Sequence, residues 1–132
     1  MDIQALASEL SGDPLARGYA GMSDAAAAAS LNDTIDRTTN KSSMSGDEIF
    51  AATDSTEYDA LTTDQKQLWL AFCGRDTVDP FGTANVAFVV SLFGNPSTTR
   101  TALINGRVNS VSRATELGLG LVKPGHVGMA RG

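Results

Sequence analysis

The residues equipped for catalysis or metal binding are few: one cysteine, one histidine and a cluster of carboxylates. Cys73 lies in the apolar run Leu68-Trp69-Leu70-Ala71-Phe72-Cys73, which fits a buried structural thiol. A cysteine nucleophile needs a neighbouring base or positive charge to become a thiolate, and His126 is far along the chain. A single cysteine also excludes an intramolecular disulfide. His126 stands in Gly125-His126-Val127 with none of the converging ligands a metal site requires. Asp47-Glu48 and Asp54, Glu57 and Asp59 place carboxylates close together. Paired carboxylates can cleave a glycosidic bond or bind calcium, but the glycine and closing glutamate of a calcium loop are missing. Asp and Glu also favour helix N-termini, which accounts for the cluster without an active site.

The glycines lead to the same expectation. Gly118-x-Gly120 has neither the third glycine nor the preceding strand of a dinucleotide fingerprint. Gly12 to Gly21 contains no Lys-Ser or Lys-Thr pair, so it is not a phosphate loop, and no serine sits in a Gly-x-Ser-x-Gly elbow. Arg100, Arg107, Arg113, Lys123 and Arg131 form a loose basic series without alternating aromatics. The net charge of −5 disfavours strong phosphate attraction. The sequence therefore predicts a protein that is not an enzyme and uses no cofactor or metal.

The charge is unevenly distributed along the chain. Residues 1–64 carry 12 acidic and 3 basic side chains, and residues 65–132 carry 3 and 7. Such a split fits two differently solvated faces of one domain, or a charge dipole suited to head-to-tail association, in which electrostatic complementarity sets orientation and specificity. The 132 residues suit one domain. The apolar fraction of 42% is rich in Ala, which buries little area, so the expected core is thin and open to completion by partners. Met1-Asp2-Ile3-Gln4 lacks the basic and apolar regions of a signal peptide. No run reaches the roughly 18 apolar residues of a membrane span.

Short helices must position these residues. Ile3, Leu6 and Leu10 recur at helical spacing, predicting a helix over 2–11 broken at Gly12-Asp13-Pro14. Asp13 as N-cap and Pro14 in the first turn predict a short helical segment over 15–19. Ser23 caps a helix from Asp24 to Leu31. Residues 32–44 are polar except for Ile35 and read as an extended loop or arm. Ser45 with Glu48, and Thr62 with Gln65, are capping boxes that open helices toward Phe50 and over 63–73. Asp54 or Ser55 caps a turn carrying Tyr58 and Leu61. Val86 to Phe93 is the longest apolar run; its β-branched residues allow a strand, while Thr83 and Gly94 at its flanks favour a helix. Asn95-Pro96 predicts a further helix start, and Ser110 or Ser112 another. Pro124 opens a last helical turn. The expected fold is all-α: an irregular bundle of about seven short helices in a single domain over 1–132. It has a polar arm at 32–44 and a flexible, Gly-containing C-terminal docking segment at 118–132.

Three stretches of sequence resemble, in order, a family of small proteins encoded among the morphogenesis genes of tailed bacteriophages. The first is Asp13-Pro14-Leu15-Ala16-Arg17-Gly18-Tyr19-Ala20-Gly21-Met22-Ser23-Asp24, leading into the alanine-rich helix. The second is Met44-Ser45-Gly46-Asp47-Glu48-Ile49-Phe50, continuing to Thr56-Glu57-Tyr58. The third is Ser112-Arg113-Ala114-Thr115-Glu116-Leu117-Gly118-Leu119-Gly120, with Gly125-His126-Val127 and Ala130-Arg131. Residues 65–108 match in hydrophobic character only. The resemblance implies a virion structural protein of the head–tail connector (adaptor or neck) kind, assembled in the host bacterial cytoplasm and found at the head–tail junction. It implies a homo-oligomeric ring, dodecameric, that joins the portal to neck or tail proteins and lets DNA pass with non-specific contact, without membrane association. Another virion part, such as a tail terminator or capsid-associated protein, and a non-virion regulatory or host-interaction protein are the alternatives. Inter-subunit contacts are expected in the arm and the tail, at Arg17, Tyr19, Ile35, Arg37, Lys41, Arg113, Lys123, His126 and Arg131.

Overall fold

The computed structural model describes residues Met1–Gly132. In chain order the elements are α1 (Ile3–Gly12), α2 (Asp24–Asn32), β1 (Thr38–Asn40), α3 (Gly46–Ala51), α4 (Ser55–Asp59), α5 (Thr63–Cys73), α6 (Thr83–Phe93), α7 (Thr98–Gly106), β2 (Val108–Ser110), α8 (Arg113–Glu116) and α9 (Pro124–Arg131), with a 3-10 turn at Tyr19–Gly21. The fold is mainly helical, with nine helices where about seven were expected and one two-stranded sheet. The chain forms two compact units where its length suggested one. Unit 1 is Met1–Thr38 with Ser110–Gly132, and unit 2 is Thr39–Asn109. β1 and β2 pair with each other. The Lys41 N–H donates to the Arg107 carbonyl and the Val111 N–H to the Arg37 carbonyl, both at 2.9 Å, in antiparallel register.

Unit 1 joins the two ends of the chain. α9 packs on α1 and α2, and α8 packs on α2. The core holds Leu6, Leu10, Tyr19, Ala27, Ala28 and Leu31 from the N-terminal part, and Ala114, Leu119, Val122 and Val127 from the C-terminal part. Each fully buried Leu or Val contributes about 1.5–3 kcal/mol. The segment 118–132 is therefore structural within this unit, contrary to the expected flexible tail. Val122 and Val127, 2% and 0% exposed, supply the apolar anchors, and Asn32 fixes the approach. Its Nδ2 donates to the Val122 carbonyl at 2.8 Å and its Oδ1 accepts from the Val122 N–H at 3.0 Å.

Ser23 caps α2 as the sequence predicts, while Asp2, expected inside the first helix, is the cap of α1. Asp2 Oδ1 accepts from the Ala5 N–H at 2.9 Å and Ser23 Oγ from the Ala26 N–H at 3.1 Å. The expected helix over 15–19 does not form. Asp13 adopts a left-handed conformation (φ 42°) as the C-cap of α1, and its carboxylate accepts from the Arg17 and Gly18 N–H groups, both at 2.7 Å. Those amides close a loop around one side chain in place of a helical turn.

Unit 2 is built around Trp69, which is wholly buried. Its ring stacks on Phe72 at 5.4 Å and Phe88 at 6.2 Å, and meets Phe93 edge-on at 4.8 Å. Its indole N–H donates to Thr53 Oγ1 at 3.1 Å, so the polar tip of the ring is satisfied inside the core. Met44, Ile49, Leu61, Val78, Val89 and Leu103 complete the cluster. The C-terminal end of the predicted arm is thus core, since Met44 is 3% exposed and bridged to Val78. Both capping boxes form, and 83–93 is a helix that stops at Gly94 as predicted but starts from Gly82, with Thr83 inside it rather than as its cap. α7 starts two residues later than Asn95-Pro96 suggests, because Ser97 Oγ is the cap and accepts from the Arg100 N–H at 3.1 Å. Gly46 meets the end of α5 so closely that a Cβ there would lie 1.9 Å from the Cys73 carbonyl oxygen.

Candidate functional site

The groups best suited to covalent chemistry are engaged structurally. Cys73 is half-buried, and burial pushes its thiol up to about 11, leaving it protonated at neutral pH. The His126 Nδ1 accepts from the Lys123 N–H at 3.0 Å, which closes the first turn of α9. The carboxylate cluster caps helices. Glu48 completes the α3 box, and Asp54 caps α4 through the Glu57 N–H at 3.0 Å. Glu57 crosses to α7 and accepts from the Thr98 N–H at 3.0 Å and the Thr99 N–H at 2.6 Å. Hydrogen bonding from the Thr99 hydroxyl, reinforced by those two amides, lowers its carboxyl below the usual value. Glu48 is lowered likewise, first by its bond to Lys41. No three His, Cys, Asp or Glu side chains are grouped to hold a metal ion. No helix is long and apolar enough to cross a membrane.

Most of the expected contact residues in unit 1 have partners inside it. Arg17 pairs with Asp36 and donates to the Ser30 carbonyl at 2.6 Å. Arg37 grips Glu116 with two bonds, at 2.7 and 3.1 Å. Arg113 holds the buried Glu9 in the same forked way, at 2.9 and 3.1 Å. Arg131 bonds Asp24 at 2.8 Å and the Tyr19 carbonyl at 2.6 Å. Tyr19 is 0% exposed, and its hydroxyl donates to Glu9 at 3.4 Å, so its role is internal. Ile35, by contrast, is 86% exposed, and the Lys123 side chain enters no ion pair. In unit 2, Lys41 pairs with Glu48 at 3.2 Å.

The arginines of unit 2 are placed differently. Arg75, Arg100 and Arg107 enter no ion pair. Arg75 lies over the Phe72 ring at 5.0 Å and Arg107 over the Phe81 ring at 4.3 Å, both within cation–π range. Arg100 is 8% exposed, and its Nε is buried without a hydrogen-bond partner. The charge split along the chain does not become a split between the units. Unit 1 carries seven acidic and five basic side chains, and unit 2 carries eight and five, because the basic C-terminal residues fold back beside the acidic N-terminus.

Unit 2 also leaves apolar side chains uncovered. α6 is the most apolar helix of the chain, yet Val89 is its only buried residue. Leu68 and Leu70 on α5 are 55% and 47% exposed, and Phe50 is 47% exposed. A groove of about 320 Å³ between α5 and α6 is lined by Leu68, Ala71, Ala84 and Phe88, with Arg75 also on its wall. The expected contact residues do not line this groove. The signal for it was the length of the apolar run 86–93, which exceeds what a small core can cover. Compared with protein-family models, curated proteins and solved structures, the chain matches none.

Proposed function

We propose that this chain is a non-catalytic phage virion subunit that assembles as a ring at the head–tail connector, joining the portal to neck or tail proteins and leaving a passage for DNA. The observation that carries the assembly reading is the half-covered α6 with exposed Leu68 across the groove from it, and further exposed apolar side chains at Leu70 and Phe50 elsewhere on unit 2. A helix this apolar is ordinarily more fully buried, and exposed apolar surface of this kind marks interaction sites. The virion setting is supported by the ordered resemblance of residues 13–24, 44–58 and 112–131 to phage morphogenesis proteins. The absence of catalysis is supported by the protonated Cys73 thiol and by carboxylates engaged as helix caps.

Native mass spectrometry and negative-stain microscopy of the purified chain test this reading. The expected result is a closed ring, with twelve copies the leading stoichiometry. Leu68→Glu with Leu70→Glu, both exposed and so harmless to the fold, should dissolve the ring. A chain that stays monomeric at high micromolar concentration, or a double variant that assembles like the parent, refutes it.

A further inference from the structure

Arg100 is the one buried charged residue of unit 2, and it enters no ion pair. It sits on α7 and lines a cavity of about 20 Å³ together with Met44, Ile49, Val78, Val86 and Leu103. Its Nε has no hydrogen-bond partner, and its burial together with the neighbouring Arg107 charge lowers its basicity. Burying a charge is costly unless it is paired, and a water molecule satisfies a donor without neutralising the charge. Beside the cavity, Arg107 lies over Phe81 and adds a second guanidinium without a carboxylate.

We infer that Arg100 receives a carboxylate from an acidic side chain of a second copy of this chain, inserted into the cavity as the subunits associate. The inference rests on the assembly reading above and deepens it by naming the polar contact.

Four observations point to the class and source of the ligand. The charge to be matched is a cationic fork, which carboxylates fit with two parallel bonds. Of the other lining side chains only Asn85 is polar, so the anion arrives on a short, largely apolar stem. The space is little larger than one water, which admits the end of a side chain and not a whole metabolite. So few atoms bind weakly when free, at best in roughly the millimolar range, so the group must be carried on a larger body. Each copy holds the complement. Asp47, Asp59, Asp64 and Asp76 are exposed and enter no ion pair. A surface that donates a carboxylate on one side and receives one on the other makes a head-to-tail contact, the kind that closes into rings.

Sedimentation equilibrium of the full chain, from micromolar to millimolar, compares the parent with Arg100→Met. Methionine fills similar space without the charge. The variant should fold with an unfolding midpoint no lower than the parent's, because replacing buried charge by apolar volume is often neutral or stabilising. Its association should weaken by at least about thirtyfold, since losing one partner of a buried charge pair is costly. Side-chain nitrogen NMR of the parent gives a reading that needs no variant. The Arg100 Nε–H should exchange slowly with water in the assembly and faster on dilution. If Arg100→Met assembles like the parent, or the Nε–H signal ignores assembly, the inference is overturned and the ring reading stands. If the parent never assembles, both fail. A signal that responds to butyrate added to a monomeric chain overturns the second copy as source.

Discussion

Replacing Arg113 by methionine takes away the partner of a carboxylate that lies deep in unit 1. Glu9 is the acceptor of both forked bonds, at 2.9 and 3.1 Å. The side chain of Glu9 is 3% exposed and that of Arg113 is 16% exposed. With Arg113 gone, Glu9 keeps only the Tyr19 hydroxyl at 3.4 Å, a weak substitute. Breaking a buried pair from one side costs about 3–5 kcal/mol, a large part of the 5–15 kcal/mol that holds a typical domain folded. The opposite removal, Glu9→Gln, is milder for two structural reasons. Gln keeps an acceptor for Tyr19 and Arg113, and Arg113 retains Glu116 at 3.6 Å. Its cost is about 1–3 kcal/mol.

The asymmetry between the two variants is the test. Native-state hydrogen exchange at the Leu31 and Val127 amides reads the opening of unit 1 itself. The double variant Glu9→Gln with Arg113→Met should be less destabilised than the two single costs added, since it leaves no lone buried charge. A cost below about 1 kcal/mol for Arg113→Met, or a Glu9→Gln cost equal to or above it, refutes the account of Glu9 as the buried member of the pair.

Further outcomes follow from other contacts. Gly46→Ala places a Cβ 1.9 Å from the Cys73 carbonyl and 2.6 Å from that of Arg75, both backbone atoms, so a loss above about 4 kcal/mol is expected; a folded variant with near-parent urea midpoint contradicts the close approach. Thr53→Val strips the acceptor from the Trp69 indole N–H and should cost about 1–3 kcal/mol, read by urea denaturation followed through the fluorescence of this single tryptophan. Glu48, Glu57 and Glu116 all titrate below the usual 4.5. The unfolded chain therefore binds their protons first, and their stabilisation is complete above about pH 4.5 and fades as pH falls through the folded values. Thermal midpoints taken from pH 6 to pH 3 should fall, and Glu57→Gln should flatten the fall; an identical slope rules out Glu57 as a contributor.

Local signals were the legible part of the sequence. Ser23, Ser45 and Thr62 cap the helices their spacing predicts, and Asp54 and Ser112 are the caps where the sequence offered two candidates, because a cap depends on residues within one turn. What a local pattern could not carry was the competition for backbone amides. Asp13 looks like the start of a helix until its carboxylate is seen holding the Arg17 and Gly18 N–H groups. The C-terminal stretch looked loose because of its glycines, and only the docking of Val122 and Val127 against α1 and α2 makes it core. The division into two units was illegible for the same reason. Unit 1 gathers Met1–Thr38 and Ser110–Gly132 from the two ends of the chain, a separation no periodicity reveals.

The candidate site followed the same division between local and distant information. Basic residues were picked as contacts by type, and structure sorts them by partner. Arg17, Arg37, Arg113 and Arg131 meet carboxylates in unit 1, whereas Arg75, Arg100 and Arg107 meet aromatic rings or an apolar cavity in unit 2. An arginine already paired offers a neighbour little, since a new partner must first displace the old one. An arginine lying over an aromatic ring is held in place with its donors unclaimed by carboxylates, so less ordering remains to be done on binding. By this reasoning, charge reversal at Arg107 should disturb association more than reversal at Arg37, although Arg37 lies in the arm that the sequence favoured. Sedimentation of Arg107→Glu beside Arg37→Glu decides it: the larger loss at Arg37 would return the interface to the arm.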